Sequence, residues 1–228
     1  MTAVRRTISG LSVALAAAGL LWAASASAAT GGASAGMLSG DALIDALRQG
    51  GYVIVMRHAQ SPQQPPDAAH ARPGNKKHER QLDAAGERAA RYMGMAIRQV
   101  EIPVLRVLSS PTFRAIETAR ALGLGAPHTY PELGPGKAGM KAPADQKHAQ
   151  WLQDKVAART PNGECLLIIT HEPNLKAAFG QKAAQMRAGD ALIFEPEGKT
   201  AKLVAEVKVG DWSKLADHWK PNYQRDAG

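Results

Sequence analysis

Beyond residue 38 the chain alternates between short apolar runs and amphipathic stretches, and that alternation predicts most of its elements. Leu43, Ile44 and Leu47 fall at helical spacing behind Ser39, a suitable N-cap, and Gly50-Gly51 closes that helix. Tyr52 to Met56 is an unbroken apolar run and predicts a buried strand. Asp83 is placed to cap a helix running to about Gln99, with Ala89, Tyr92, Met93, Ala96 and Ile97 on its inner face. A strand from Val104 to Leu108 follows. Ser109-Ser110-Pro111 then opens a helix, with the proline in its first turn and Ile116, Ala119 and Leu122 toward the core. A helix over Asp145 to Ala158 leads through Pro161-Asn162-Gly163 into a strand from Cys165 to Ile169. Pro173 suits the first turn of one more helix. Ala191 to Phe194 and Lys202 to Val209 read as two last strands around the turn Pro196-Glu197-Gly198. Strands that alternate with helices predict an α/β fold, a three-layer α/β/α sandwich on a mostly parallel sheet.

Two polar, Pro-rich stretches interrupt the pattern, Gln60 to about Arg80 and Pro131 to Pro143. The first is long for a connection in a compact domain and is read as functional or mobile, and specificity is expected on Gln60 to Arg80 and Glu132 to Ala144. Neither is large enough for an inserted cap domain.

The first 28 residues obey a different rule. Arg5 and Arg6 precede an uncharged apolar run from Leu11 to Ala24, and Ala26-Ser27-Ala28 ends it. This is the layout of a signal peptide cut after Ala28, and it predicts a periplasmic or secreted protein with no stable membrane insertion after cleavage. An uncleaved anchor is the competing reading, against which the short, Ala-rich run argues. Residues 29–38 read as a flexible linker, and 39–228 as one domain.

Removing the two leader arginines leaves 26 Lys and Arg against 20 Asp and Glu, a net charge of +6. Such a surface favours anionic partners. No basic stripe with interleaved aromatics is present, so nucleic acid is not expected as a partner. The single cysteine, Cys165, has no disulfide partner and reads as a buried thiol.

The polar residues that carry chemistry stand at the ends of predicted strands. Arg57-His58 ends the first, Ser109 to Arg114 follows the second, and His171 ends the third. Ligands of open α/β sheets bind beyond the carboxyl ends of the strands, so these residues are expected to converge. Two arginines fit a phosphate, because each guanidinium fork pairs with its oxygens. A neutral imidazole beside them can attack phosphorus. The second imidazole can donate to oxygens that gain charge in the transition state.

These residues also carry a family resemblance. Val53 to Ala59 resembles the Arg-His-Gly signature of the histidine phosphatase superfamily, which includes phosphoglycerate mutases. Arg80 to Gly86 is similar to that family's Arg-x-Leu-Thr-x-x-Gly helix start, Val107 to Ala119 to its Ser-Ser-Pro-x-x-Arg-Ala segment, and Ile168 to His171 to its second histidine strand. The resemblance spans roughly Gly51 to Trp212 and implies His58 as nucleophile, Arg57 and Arg114 as phosphate clamps, and His171 as the second pocket histidine. The run Pro131 to Gly136 is similar to a loop of the short, lidless phosphohistidine phosphatases. Two departures stand out: Ala59 where the family carries glycine, tolerable if its φ is negative, and Glu172 directly after His171.

Two roles for Glu172 stand side by side. It is the proton donor for an alkyl leaving group, which favours phosphomonoesters, or it only complements the dipole of the new helix. Glu132 is a further candidate acid, and Glu117 is expected to orient Arg114. The remaining histidines, His70, His78, His128, His148 and His218, show no metal-ligand spacing. No metal and no cofactor are expected. The substrate expected is a small phosphorylated molecule or a phosphorylated envelope component such as a lipopolysaccharide-core sugar phosphate. The alternatives are a phosphohistidine protein phosphatase and a non-catalytic anion-binding module. Oligomeric state is left open.

Overall fold

The computed structural model describes residues 36–62, 75–135, 146–161 and 163–219. The expected leader or anchor over residues 1–28, most of the expected linker, His70, residues 63–74 of the first long loop and residues 136–143 of the second lie outside the described residues.

In chain order the elements are α1 (Gly40–Arg48), β1 (Val53–Arg57), α2 (Ala84–Gln99), β2 (Val104–Ser109), α3 (Phe113–Leu122) and β3 (Pro127–Thr129). They continue with α4 (Gln146–Ala157), β4 (Cys165–Thr170), α5 (Glu172–Phe179), β5 (Ala191–Pro196), β6 (Ala201–Val207) and α6 (Asp211–His218). The strands form one sheet in the order β3-β2-β4-β1-β5-β6. β1, β2, β3 and β4 pair in parallel, while β5 runs antiparallel to both β1 and β6. The expected mostly parallel sheet is therefore present, and no large cap is inserted among the described residues.

The apolar run of β1 is a central strand, buried on both faces. Its alternate residues divide the core: Ile54 and Met56 pack with α1, α2, α3 and α6, while Val53 and Val55 pack with α4 and α5. Cys165 is buried in β4, its thiol donates to Leu47 O, and burial pushes its pKa up to about 11. Among the described residues, no helix is long and apolar enough to cross a membrane.

Three local expectations need correction. The inner face of α2 is Gly86, Ala90, Met93, Gly94 and Ile97 together with Ala96, while Tyr92 stands 57% exposed. Close approach of α3 decides this, because a Cβ on Gly94 would overlap the Leu122 carbonyl oxygen. Small residues are selected on that face, and the tyrosine is turned outward. Second, α3 begins at Phe113 with Thr112 as its N-cap, so Pro111 lies before the helix. The Phe113 amide is met by the Glu79 carboxylate (2.9 Å). Third, β3 and α6 have no counterpart in the sequence pattern. β3 is three residues long, too short to show a period.

Candidate active site

β1 and β4 are neighbours, and the chain leaves them toward opposite faces of the sheet, into α2 and α5. Such a divergence at the carboxyl ends of neighbouring strands is the usual ligand position in open α/β sheets. The structure brings Arg57, His58, Arg114 and His171 together there. His58, Arg114 and His171 are 4%, 4% and 2% exposed, so this is a buried polar cluster and not a surface patch.

Arg114, in the first turn of α3, organises both imidazoles. Its Nε donates to His58 Nε2 (3.1 Å), and a second guanidinium nitrogen donates to His171 Nδ1 (3.1 Å). A guanidinium can only donate, so each of those ring nitrogens carries a lone pair. The remaining protons are thereby assigned. His58 Nδ1 donates to Ala59 O (2.7 Å), and His171 Nε2 donates to Ser110 Oγ (2.8 Å), with Thr112 Oγ1 at 3.3 Å. The two rings lie 5.1 Å apart between centroids. Burial first, and the Arg114 guanidinium second, hold both imidazoles well below their usual pKa. Both are neutral at pH 7, and His58 presents Nε2 as a free-base nitrogen.

The backbone around His58 is tied down on the α3 side. Ala59 N donates to Thr118 Oγ1 (3.0 Å), which in turn donates to Arg114 O (2.7 Å). Ala59 is not among the residues with positive φ, so alanine is tolerated where the family carries glycine.

Arg57 sends one guanidinium nitrogen to Met186 O (3.1 Å) and to Glu172 Oε2 (2.8 Å), while its buried Nε has no hydrogen-bond partner among the described residues. Arg80 completes the cationic wall. It donates to Ser61 Oγ (2.6 Å), and burial followed by the Arg57 charge lowers its pKa. Arg114 is pushed down to about 10, chiefly by burial and then by Arg80. Three guanidinium groups so close that Arg80 and Arg57 lower the pKa of Arg114, even with Glu172 on Arg57 and Glu79 near Arg114, suit an anion.

Glu172 meets Arg57 and not the lone pairs of the histidines. Its other oxygen accepts from Lys176 Nζ (2.6 Å). That hydrogen bond is the main cause of a lowered pKa, so the carboxyl is ionised in this state. Glu117 does not orient Arg114, because its carboxylate accepts from Leu82 N (2.9 Å) ahead of α2. Glu132 lies in the turn after β3, whose backbone is held by Asn174 on α5. Sequence reasoning did not assign Arg80 or Glu79 to this site, and it took Ser110 and Thr112 only as part of the run Ser109 to Arg114. Arg80 opened one quoted motif, and Ser110 and Thr112 stood inside another, but Glu79 carried no signal.

Among solved structures, the chain is similar to the protein histidine phosphatase SixA complexed with tungstate. Identity is 19%, coverage is 70% of this chain and 98% of that one, and the TM-score is 0.51. It is also similar to a putative phosphohistidine phosphatase SixA from Agrobacterium tumefaciens (18%, 69% and 97%, 0.48). A phosphoserine phosphatase from Entamoeba histolytica in complex with 3-phosphoglyceric acid is similar too (14%, 68% and 95%, 0.47). At 19% identity the first of these likenesses is one of fold alone. None of the curated proteins matches the chain in sequence. The family model of the histidine phosphatase superfamily (branch 1) matches residues 53–194, from the first residue of β1 into β5 and so across both histidine-bearing strand ends. With more than half of its length matched, the chain belongs to the histidine phosphatase superfamily, branch 1.

Proposed function

We propose that this chain is a phosphatase that works through a phosphohistidine on His58, with Arg57, Arg114 and His171 holding the phosphoryl group. The observation that carries this reading is the orientation of His58. Its Nδ1 proton is committed to Ala59 O, and its neutral Nε2 points at the guanidinium of Arg114. A phosphate that takes over that guanidinium lies against the nucleophilic nitrogen. Nε2 then attacks phosphorus as the bond to the leaving group breaks. Water attacks the phosphohistidine in the second step, releasing inorganic phosphate and restoring neutral His58.

The leaving group must still acquire a proton. Glu172 is ionised and divided between Lys176 and Arg57, and Glu79 is engaged by the Phe113 amide. Proton delivery by Glu172 would require it to leave both cations. This favours a leaving group that departs with little assistance, as a phosphohistidine or an aryl phosphate does, over the alkyl phosphate of an envelope sugar. The sugar phosphate remains the second reading, supported by the net charge and by the leader-like N-terminus, which also supports export to the periplasm. A binding module without turnover has no use for an activated His58.

The test is hydrolysis of p-nitrophenyl phosphate and of a phosphohistidine peptide, with EDTA present, by the protein without residues 1–28 and by its His58→Ala variant. Turnover that survives EDTA, accompanied by an acid-labile 32P label lost in the variant, is expected. Loss of turnover with EDTA, or an unlabelled but active enzyme, would defeat the mechanism. Glu172→Gln is expected to leave the dependence of rate on leaving-group pKa unchanged. A steeper dependence in that variant returns the proton-donor role to Glu172.

A further inference from the structure

We infer that Asp190 is a positioning residue for the phosphate site, acting by fastening the segment Met186–Asp190 on which Arg57 and His58 are seated. The inference rests on the reading of Arg57 and His58 as the phosphate-binding and nucleophilic residues.

Where a strand ends, its backbone groups lose their partners, and the residues beyond it are free to wander unless something replaces the sheet. On the β4 side His58 N still donates to Thr170 O (3.0 Å) and Ala59 N to Thr118 Oγ1, whereas on the β5 side that replacement is one short segment. Gly189 N donates to both Arg57 O and His58 O (3.1 Å each), and Asp190 O accepts from Arg57 N (3.1 Å). Met186 O accepts from the Arg57 guanidinium (3.1 Å). The same segment therefore sets the backbone of the nucleophile and one of the directions in which Arg57 points.

The segment lies between a 3-10 turn and β5, so regular structure does not hold it. The Asp190 side chain does. It is 2% exposed, and its Oδ2 accepts from Arg187 N (2.8 Å) within the segment. Its Oδ1 accepts from Val209 N (3.1 Å), just beyond β6, with Lys208 Nζ at 3.4 Å from Oδ2. A buried carboxylate is retained only where its oxygens are satisfied, and here two backbone amides and one ammonium satisfy it. Val209 closes the same joint by packing, because a Cβ on Gly189 would stand 2.7 Å from its Cγ2. At φ +85 that position suits glycine in any case. The distant end of β6 is thereby tied to the catalytic edge of β1. Asp190 touches neither substrate nor the reacting atoms.

The experiment compares the full chain with Asp190→Asn, Lys208→Gln and Val209→Ala. Its readouts are the affinity for inorganic phosphate by calorimetry, p-nitrophenyl phosphate kinetics, and thermal unfolding. Asn keeps one acceptor and sets an N–H against the other amide. Per folded molecule, Asp190→Asn is expected to weaken phosphate about tenfold and to lower kcat/KM by about 10²-fold, the scale of a small misplacement of reacting groups. Lys208→Gln, which spares both amide bonds, is expected to stay within about twofold of the native protein. Native phosphate affinity and kcat in folded Asp190→Asn overturn the inference and leave Asp190 a purely structural residue. If that variant does not fold, Val209→Ala decides: about threefold weaker phosphate is expected on the same misplacement argument, and unchanged affinity overturns the inference. A native chain that binds no phosphate overturns the reading of the pocket itself, and the positioning role falls with it.

Discussion

The two ends of α3 are both buried, yet they are built on opposite terms. At its C-terminal end Leu122 is fully enclosed, Gly123 turns the chain in the left-handed region, and Arg98 donates to the carbonyls of Leu122 and Gly123. Small residues of α2 lie directly against it. Polar groups are matched and volume is filled. At the N-terminal end Arg114 is buried beside two further guanidinium groups and two imidazoles whose protonation it opposes. Arg57 keeps a buried Nε without a partner among the described residues. One end contributes stability. The other holds like charges close together, as an anion site would. Residues at the first should therefore alter how well the protein folds, and residues at the second how well it binds and reacts.

The sharpest separation comes from Arg114→Met. Removing the guanidinium that orients both histidines should lower kcat/KM by about 10²–10³-fold, the usual scale for losing a donor aimed at developing charge. The melting temperature should hold or rise, since a buried, repelled cation is replaced by an apolar side chain. A large drop in melting temperature, read by circular dichroism, would erase the contrast between the two ends.

Gly94→Ala tests the other end and turns on a sign. In an exposed helix the change gains about 1 kcal/mol in helix propensity. Here the new methyl meets a backbone oxygen that cannot rotate away, and overpacking of this kind costs about 1–3 kcal/mol. Net destabilisation in urea unfolding, with unchanged kcat per folded molecule, is expected. A more stable variant would mean that the helices are free to separate.

The pH dependence of stability reads the pocket without mutation. The native imidazoles of His58 and His171 bind protons well below their usual pKa of about 6.5, at which the unfolded chain takes them up. Above that value neither state is protonated at these sites, and their full contribution to stability is present. As the pH falls below it, the unfolded state gains protons first, so stability declines by up to about 1.4 kcal/mol per pH unit for each histidine. His171→Asn should remove about half of that slope. A flat profile between pH 6.5 and 5 would mean that the imidazoles are free to ionise in the native protein.

The smallest effect belongs to the solvent side of α2. Arg91 and Glu87 form an exposed pair one turn apart, and Arg91→Ala should shift stability by no more than about 0.5 kcal/mol and leave turnover unchanged.

The architecture and the gathering of Arg57, His58, Arg114 and His171 were legible in the sequence for local reasons. Apolar runs in β1 and β4 have nowhere to go but the middle of a sheet, and a polar residue directly after such a run must stand at its carboxyl edge. Asp83 bonds the amide three residues on, as an N-cap of its type does wherever it occurs. Tyr92 was misassigned because helical periodicity does not distinguish two overlapping arcs of one helix, and the packing of Gly94 on α3 chooses between them. The place of Pro111 escaped for a similar reason: the start of α3 is set by Thr112 and by Glu79, a partner 34 residues away.

By itself, then, the sequence determined which strands are central, which residues stand at their ends, and the family to which the chain belongs. Periodicity and strand termini are properties of neighbouring residues, and neighbours are what a sequence records. Only the tertiary structure decided which ring nitrogens carry protons, that Glu172 is divided between Lys176 and Arg57, and that the joint at Asp190 reaches back to β1. Each of these depends on a hydrogen bond, an ion pair or a packing contact made across the fold or across a helical turn. Those that cross the fold form only after the sheet has brought its edges together.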